Sequence, residues 1–295
     1  MTDPREDSKV KCDFSLTDYV MSASALFALK LPSLLPFDRH ARTEGVIRHH
    51  LKTLFGVQCA PSDTQMREVL DRVNSREIRR VFKVLFSKVQ RGKLLEEFVS
   101  LNSCDLMALD GTGYFSSQKI FCKNCCRKEQ QNGQTTYSHQ ILSAVLIHPK
   151  KRGVIPFAPE PMIKTEGKDK NDCERNAAES FLKDFRREHP HLQGIVTEDG
   201  LSSNAPHIQT LQSLKMHFIL GCKPGDHKTL FKFIEGSDRI GAMNEHEIQE
   251  EGVLHRFRWL NGVSLNDSNP NCKVHFLHYS EQTSKKTTHW SWVTD

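Results

Sequence analysis

Between Leu106 and Cys222 the chain alternates short apolar runs with amphipathic stretches, which limits it to a sheet with helices packed on it. The first run, Leu106 to Leu109, stops at Asp110 and turns through Gly111, Thr112 and Gly113. A short apolar run closed by glycines predicts a buried strand, and an acid at its end is delivered to the sheet's rim. The stretch His139 to His148 predicts a second strand, and Val154 to Phe157 begins a third, so a hairpin-like pair follows the Asp110 strand. In DCERNAAESFLKDFRREHP, Asp172 is a candidate N-cap, Ala177, Phe181, Leu182 and Phe185 form an apolar stripe, and Pro190 ends the helix. Ile195 to Thr197 then reads as a strand, Ala205 to Leu214 as a helix and His217 to Cys222 as a further strand.

Three strands, helix, strand, helix, strand is the element order of a ribonuclease H-like mixed five-stranded sheet flanked by helices, a mixed α/β class. Residues 1 to about 60 predict helices and irregular chain, with Leu26, Phe27 and Leu29 to Leu35 as an apolar patch broken by Pro32 and Pro36. Ser62 or Asp63 can cap a helix carrying Met66, Val69, Leu70 and Val73. The next helix carries Ile78, Val81, Phe82, Leu85, Phe86 and Val89 on one face, with Arg76, Arg79, Arg80, Lys83, Lys88, Arg91 and Lys93 largely around the other. After Lys223 one more helix is followed by strands around an Asn-Gly turn and by a last strand in THWSWVTD. The expected organisation is a helical region over 1–100, a catalytic-type core over 101–223, and a β-rich insertion with the start of the returning core over 224–295.

At 295 residues the chain can bury a real core, and a formal net charge of +5 permits a nucleic-acid partner without requiring one. The polar start MTDPREDSKVKCDF is no signal peptide, and the apolar stretch near Leu26 to Leu35 is too short to cross a bilayer, so no membrane partner is expected. An odd number of cysteines, nine, without an export signal favours reduced thiols in a cytosol.

Two strand-end acids, Asp110 and Asp199, would face each other, because the first and fourth strands of such a sheet are neighbours. Facing carboxylates repel unless a cation lies between them, and oxygen-only ligation selects Mg²⁺ or Mn²⁺. Glu198 neighbours Asp199, but successive strand side chains point to opposite faces, and the glycine after Asp199 places that acid at the turn. Phosphodiester chemistry follows from such a pair. Cys122, Cys125 and Cys126, with His139 downstream and Cys173 beyond, have a CxxC pair plus extra soft ligands and form a candidate structural Zn²⁺ site. Lys119, Lys123, Arg127 and Lys128 flank that loop, which could instead lie along DNA. The basic helix with Arg76, Arg79, Arg80 and Lys83 reads most plainly as a solvated face, and beside a metal-dependent site it would suit DNA phosphates. Glu245, Glu247, Glu250 and Glu251 read as a solvated acidic cluster before the insertion strands, and His207 as a surface helix residue. Trp259, Trp290 and Trp292 are expected to pack the insertion. No nucleophile elbow, HExxH arrangement or phosphate loop is present.

APSDTQMREVLDRV, LMALDGTGYFSS, the CKNC pair, KDKNDCERNAAESFL and TEDGLSSNAPHIQTL, in that order, resemble a DDE-type transposase of bacterial insertion sequences, from the group whose core is interrupted by a β-strand insertion. The resemblance runs from about residue 60 to the end. It implies a ribonuclease H-like core, a helical N-terminal DNA-binding region, and Mg²⁺-dependent nicking and strand transfer at element ends. Asp110 and Asp199 match the family's first two catalytic acids. The partners implied are double-stranded DNA, both element ends and target, and a second copy of the chain in a homodimer, with a cytoplasmic, nucleoid-associated location in a bacterium. A third acid, a glutamate on a helix beyond the insertion, has no counterpart, and HWSWVTD resembles the strand that comes before it. The chain is therefore expected to be truncated, an incomplete and inactive fragment. The competing expectations are a non-catalytic DNA-binding remnant that occupies element ends and a plain metal-dependent nuclease.

Overall fold

The computed structural model describes residues 1–5, 13–122, 124–130, 132–163 and 170–295, with side chains from 174 onward in the last stretch. Lys123 and the side chains of Asp172 and Cys173, named above, lie outside what is described. No helix among the described residues is long and apolar enough to cross a membrane. The chain forms two compact units, Met1–Ile78 and Arg79–Asp295, so the division falls before the basic helix and not near residue 100.

The first unit is helical. Helix α1 (Leu16–Ala28) starts from Ser15, whose hydroxyl accepts from the Asp18 N–H while the Asp18 carboxylate accepts from the Ser15 N–H, a reciprocal capping box. Helix α2 (Leu34–Thr43) holds Pro36 in its first turn, where a missing N–H costs nothing. Helix α3 (Gly45–Phe55) ends at Gly56 with φ +69°, a left-handed cap. Helix α4 (Asp63–Leu70) is capped by Ser62 and Gln65 as the sequence predicts. Tyr19, Leu26, Phe37, Leu51, Met66 and Val69 meet in one core.

The second unit opens with α5 (Arg79–Arg91), which contributes Phe86 to the core of this unit. Strands β1 (Asp105–Ser117), β2 (Cys126–Glu129) and β3 (Thr135–Ile147) follow, then the short β4 (Ile155–Pro156) and β5 (Glu160–Met162). Helix α6 (Lys170–Glu188), β6 (Gly194–Glu198), α7 (Ala205–Ser213) and β7 (His217–Gly221) complete the expected series. Helix α8 (Lys228–Arg239) leads to β8 (Asn244–Glu250), β9 (Val253–Asn266), β10 (Asn269–Gln282) and β11 (Thr287–Thr294).

The strands form one mixed sheet in the order β2-β3-β1-β6-β7-β11-β10-β9-β8, with β4 and β5 also on β3. Pairs β1/β6 and β6/β7 are parallel, linked through helices, and every other bonded pair is antiparallel. The β-rich segment therefore does not stand apart from a five-stranded core: β11 pairs with β7 and continues the same sheet to eleven strands.

Alternation along each strand decides which face is covered. Met107 and Leu109, Leu142 and Leu146, Phe218 and Leu220 are buried in the core that takes Phe181, Leu182 and Phe185 from α6 and Ile208 and Leu211 from α7. Each fully buried leucine or phenylalanine contributes about 1.5–3 kcal/mol. The alternate residues, Leu106, Ala108, Asp110, Ser143, Val145 and Ile219, stay half-buried or exposed on the opposite, open face.

Two local expectations change. Asn261-Gly262 is not a turn but an irregularity inside β9, where pairing steps from Leu260↔Phe276 to Val263↔Val274. Gly262 takes φ +66° there, and its N–H donates to His275 Nδ1 at 3.3 Å. The acidic cluster is exposed, as expected, but does not precede the strands: Glu245, Glu247 and Glu250 belong to β8 itself, an edge strand held by Arg256 and Arg258 across the pair.

Candidate functional site

Strands β1 and β6 are parallel neighbours paired from Asp105↔Gly194 to Ala108↔Thr197, with Asp110 two residues further along β1 and Asp199 just past the end of β6. The observed pairing stops at Ala108↔Thr197, and Asp199 follows the last residue of β6 in the turn that packs on Gly221 of β7. Both acids are exposed. The β6/β7 register ends at Glu198↔Leu220, and the next residue, Gly221, pairs with Trp292 of β11. Trp292 in turn pairs with Leu277, and Leu277 with Trp259. The transverse row Gly221, Trp292, Leu277, Trp259 thus crosses three bonded strand pairs on one face, and Asp110 pairs with Ser143.

Glu198 takes the other face. Its Oε1 lies 2.7 Å from His207 Nε2 of α7, and its Oε2 accepts from the Ser202 hydroxyl at 2.5 Å. His207 is accordingly buried, contrary to the expectation of a surface residue, and the pair anchors α7 beneath the strand end. The turn after Asp199 is held on several sides. Asp199 Oδ1 accepts from the Leu201 N–H at 2.9 Å, and buried Ser203 donates to the Gly200 carbonyl at 2.8 Å. With its proton so engaged, Ser203 Oγ accepts from His227 Nε2 at 2.7 Å. Burial first, offset in part by Asp226, pushes the His227 imidazole below its usual range, which disfavours a charge in this clasp.

Among the described residues no third His, Cys, Asp or Glu joins Asp110 and Asp199 in a ligand-sized group. Glu174 of α6 lies against the residue after Asp110, since a Cβ on Gly111 would meet its Oε1 at 2.8 Å, but Gly111 faces the helix side with Leu109. Two exposed carboxylates that only accept are suited to a hard divalent cation such as Mg²⁺ or Mn²⁺. A groove of about 730 Å³ lies instead between α6 and α7, lined by Glu179, Lys183 and Pro206 on the covered side, away from the acids.

The donor set of the sulfur cluster is smaller than expected. Cys122 Sγ and Cys125 Sγ each lie 3.3 Å from His139 Nε2 and 3.9 Å from each other. Cys126 is buried and donates to the Met162 carbonyl at 3.7 Å, outside this group. The Tyr114 ring stacks on His139, and burial, then the two neighbouring cysteines, raise its hydroxyl above the usual range.

The basic residues separate by location. Arg80, Lys83 and Lys119 are exposed, as is Arg76 of the first unit. Arg79 is not available to a phosphate: its guanidinium lies 3.1 Å from Glu160, 3.6 Å from Asp184 and 3.4 Å from Glu188, in a buried ion cluster. Facing outward at helical spacing predicts solvation only when no acid from a distant element claims the position.

A second row on the open face consists of aromatics. Phe257, Tyr279 and Trp290 stack in succession across β9, β10 and β11, with centroids 4.8 and 5.5 Å apart. Trp290 keeps 39% of its surface exposed.

No family model matches this chain, and no curated protein matches it. Among solved structures, a piggyBac transposase in a synaptic complex with hairpin DNA is similar at a TM-score of 0.42 and 10% sequence identity. That alignment covers 98% of this chain and 54% of the other, so the chain spans about half the length of that protein.

Proposed function

We propose that this chain is the core of a DNA transposase in which Asp110 and Asp199 are the first two acids of the site for Mg²⁺ or Mn²⁺. The observation that supports the reading is the strand pairing: β1 and β6 are adjacent and parallel, Asp110 and Asp199 follow their last paired residues, and Glu198 is bound to His207 on the covered face. The motif blocks that resemble insertion-sequence transposases support the same pair. A cation held there would offset the repulsion between the carboxylates and activate an oxygen for attack on a phosphodiester. The chain's own contribution is position. Gly200 and Ser203 fix the turn that presents Asp199, and Gly221, lacking a Cβ, lets that turn pack against β7. On this reading Arg80 and Lys83 of α5 and Lys119 of the β1–β2 loop meet the phosphates of the element ends, as does Arg76 of the first unit.

With two acids and no third beside them among the described residues, the chain holds the cation weakly and binds element ends without cutting them. That observation favours the DNA-binding remnant over the plain nuclease. Mn²⁺ titration followed by electron paramagnetic resonance tests the site: binding is expected in the wild type and in Glu198→Gln, and not in Asp110→Asn or Asp199→Asn. Equal Mn²⁺ affinity in all four proteins would remove the proposed site. Incubation with end-containing DNA separates the functions, since binding without nicks is expected, whereas nicks without joining to a target would identify a nuclease.

A further inference from the structure

We propose that Cys122, Cys125 and His139 bind one Zn²⁺ ion, with a water in the fourth position, and that this ion clasps the loop between β1 and β2 onto the open face of β3. The inference is independent of the carboxylate pair and involves a softer metal.

The donor triangle has the size of a tetrahedral zinc face. With Zn–S near 2.3 Å and Zn–N near 2.0–2.1 Å, tetrahedral angles require S···S of about 3.8 Å and S···N of about 3.6 Å. The structure has 3.9 Å between the sulfurs and 3.3 Å from each to Nε2. Hydrogen bonding alone accounts poorly for this arrangement. A neutral imidazole nitrogen offers a single lone pair, so it can take a proton from one thiol, yet two sulfurs converge on the same atom at the same distance. A cation at their common centre satisfies all three donors.

The surroundings suit thiolates. The Cys122 N–H donates to Cys125 Sγ at 3.3 Å, the kind of outer hydrogen bond that stabilises a ligating sulfur. Cys122 is exposed, so the remaining tetrahedral position faces solvent, where water fills it. On binding, the two thiols release their protons to solvent and the ion takes both sulfurs and the imidazole lone pair.

The loop has further contacts among the described residues. Ser117 Oγ accepts from the N–H groups of Lys119 and Ile120, and Phe121 stacks on Tyr137 with centroids 4.6 Å apart. His139 lies on the same face as Asp110, four residues along β3 from Ser143, or about 13 Å at strand rise. The clasp would fix Lys119 on the face that carries Asp110, where a phosphate backbone would pass.

Elemental analysis of the full chain purified without chelator is expected to find stoichiometric zinc. Replacement by Co²⁺ should give thiolate-to-metal charge transfer and the intense visible bands of a tetrahedral ion. Cys125→Ser and His139→Ala should lose both signals, while Cys126→Ser and Asp110→Asn keep them. Because Cys125 is buried, Cys122→Ser at the exposed ligand provides a variant that keeps the fold, and its thermal midpoint should no longer respond to chelator. Zinc-free wild-type protein, or loss of metal from Cys126→Ser equal to that from Cys122→Ser, would overturn the site. Failure of the carboxylate reading would leave these results unchanged, since Mn²⁺ binding at Asp110 and Asp199 is scored separately in the Cys122→Ser protein.

Discussion

Gly221 lies against the backbone of Asp199: a Cβ built on it would stand 3.2 Å from the Asp199 carbonyl carbon and 3.0 Å from the Gly200 nitrogen. Both neighbours are backbone, so they can yield only by moving the turn that presents the carboxylate. Gly221→Ala should weaken Mn²⁺ binding about 10-fold, the scale on which outer supports tune a metal ligand. The overpacking should cost about 1–3 kcal/mol. Paired titrations and urea melts check the two effects, and unchanged Mn²⁺ affinity would show that the turn does not set the ligand's position.

Arg79 gives the clearest stability prediction. Its guanidinium serves Glu160, which is 1% exposed, together with Asp184 and Glu188 of α6. Removing it leaves a buried carboxylate without its cation, so Arg79→Ala should cost about 3–5 kcal/mol. Arg79→Lys should recover only part of that, because a single ammonium cannot reproduce the planar fork that reaches three acids. Chemical denaturation reads both variants; DNA affinity adjusted for folded fraction should be unaffected by either.

The sequence singled out the two acids because each ends an apolar run before a glycine, and parity with that glycine separated Asp199 from Glu198, whose contact with His207 the structure shows. The sheet order then sets β1 beside β6. What stayed hidden depended on partners remote in sequence. Arg79 faces outward by helical spacing, yet Glu160 lies some 80 positions away. His207 looks like a surface residue until α7 docks under Glu198. Strand β8 has no apolar alternation to reveal it, since cross-strand ion pairs to Arg256 and Arg258 hold it. Asn261-Gly262 has the chemistry of a turn because positive φ is also what a bulge needs. The turn between β8 and β9 falls at Glu251 and Gly252, with φ +46° and +79°.

Glu198 and Asp199 are adjacent in sequence but should behave oppositely on mutation. Asp199→Asn leaves the fold intact and removes Mn²⁺ binding. His207→Ala leaves the buried Glu198 carboxylate with the Ser202 hydroxyl alone, and should cost about 1–3 kcal/mol while Mn²⁺ affinity is retained. Thermal melts alongside resonance titrations of both variants make the test. A His207→Ala protein that folds normally but binds no Mn²⁺ would move the metal site to the covered face.

At the far end of β1, Asp105 is buried with Oδ1 lacking a hydrogen-bond partner, and burial raises its carboxyl above the ordinary value. The sign of the pH effect follows. A raised folded-state value means that the native protein holds this proton more tightly than the unfolded chain does. Its contribution to stability is therefore complete below the unfolded value of about 3.9 and is lost as pH rises through the folded value. At neutral pH the ionised group opposes folding. Asp105→Asn should accordingly raise the melting midpoint at pH 7 and change it little near pH 3, where both proteins are neutral at this position. Melts across that range isolate the effect as a difference between variant and wild type, because every other group is common to both. An equal shift at both pH values would assign the effect to packing at the start of β1.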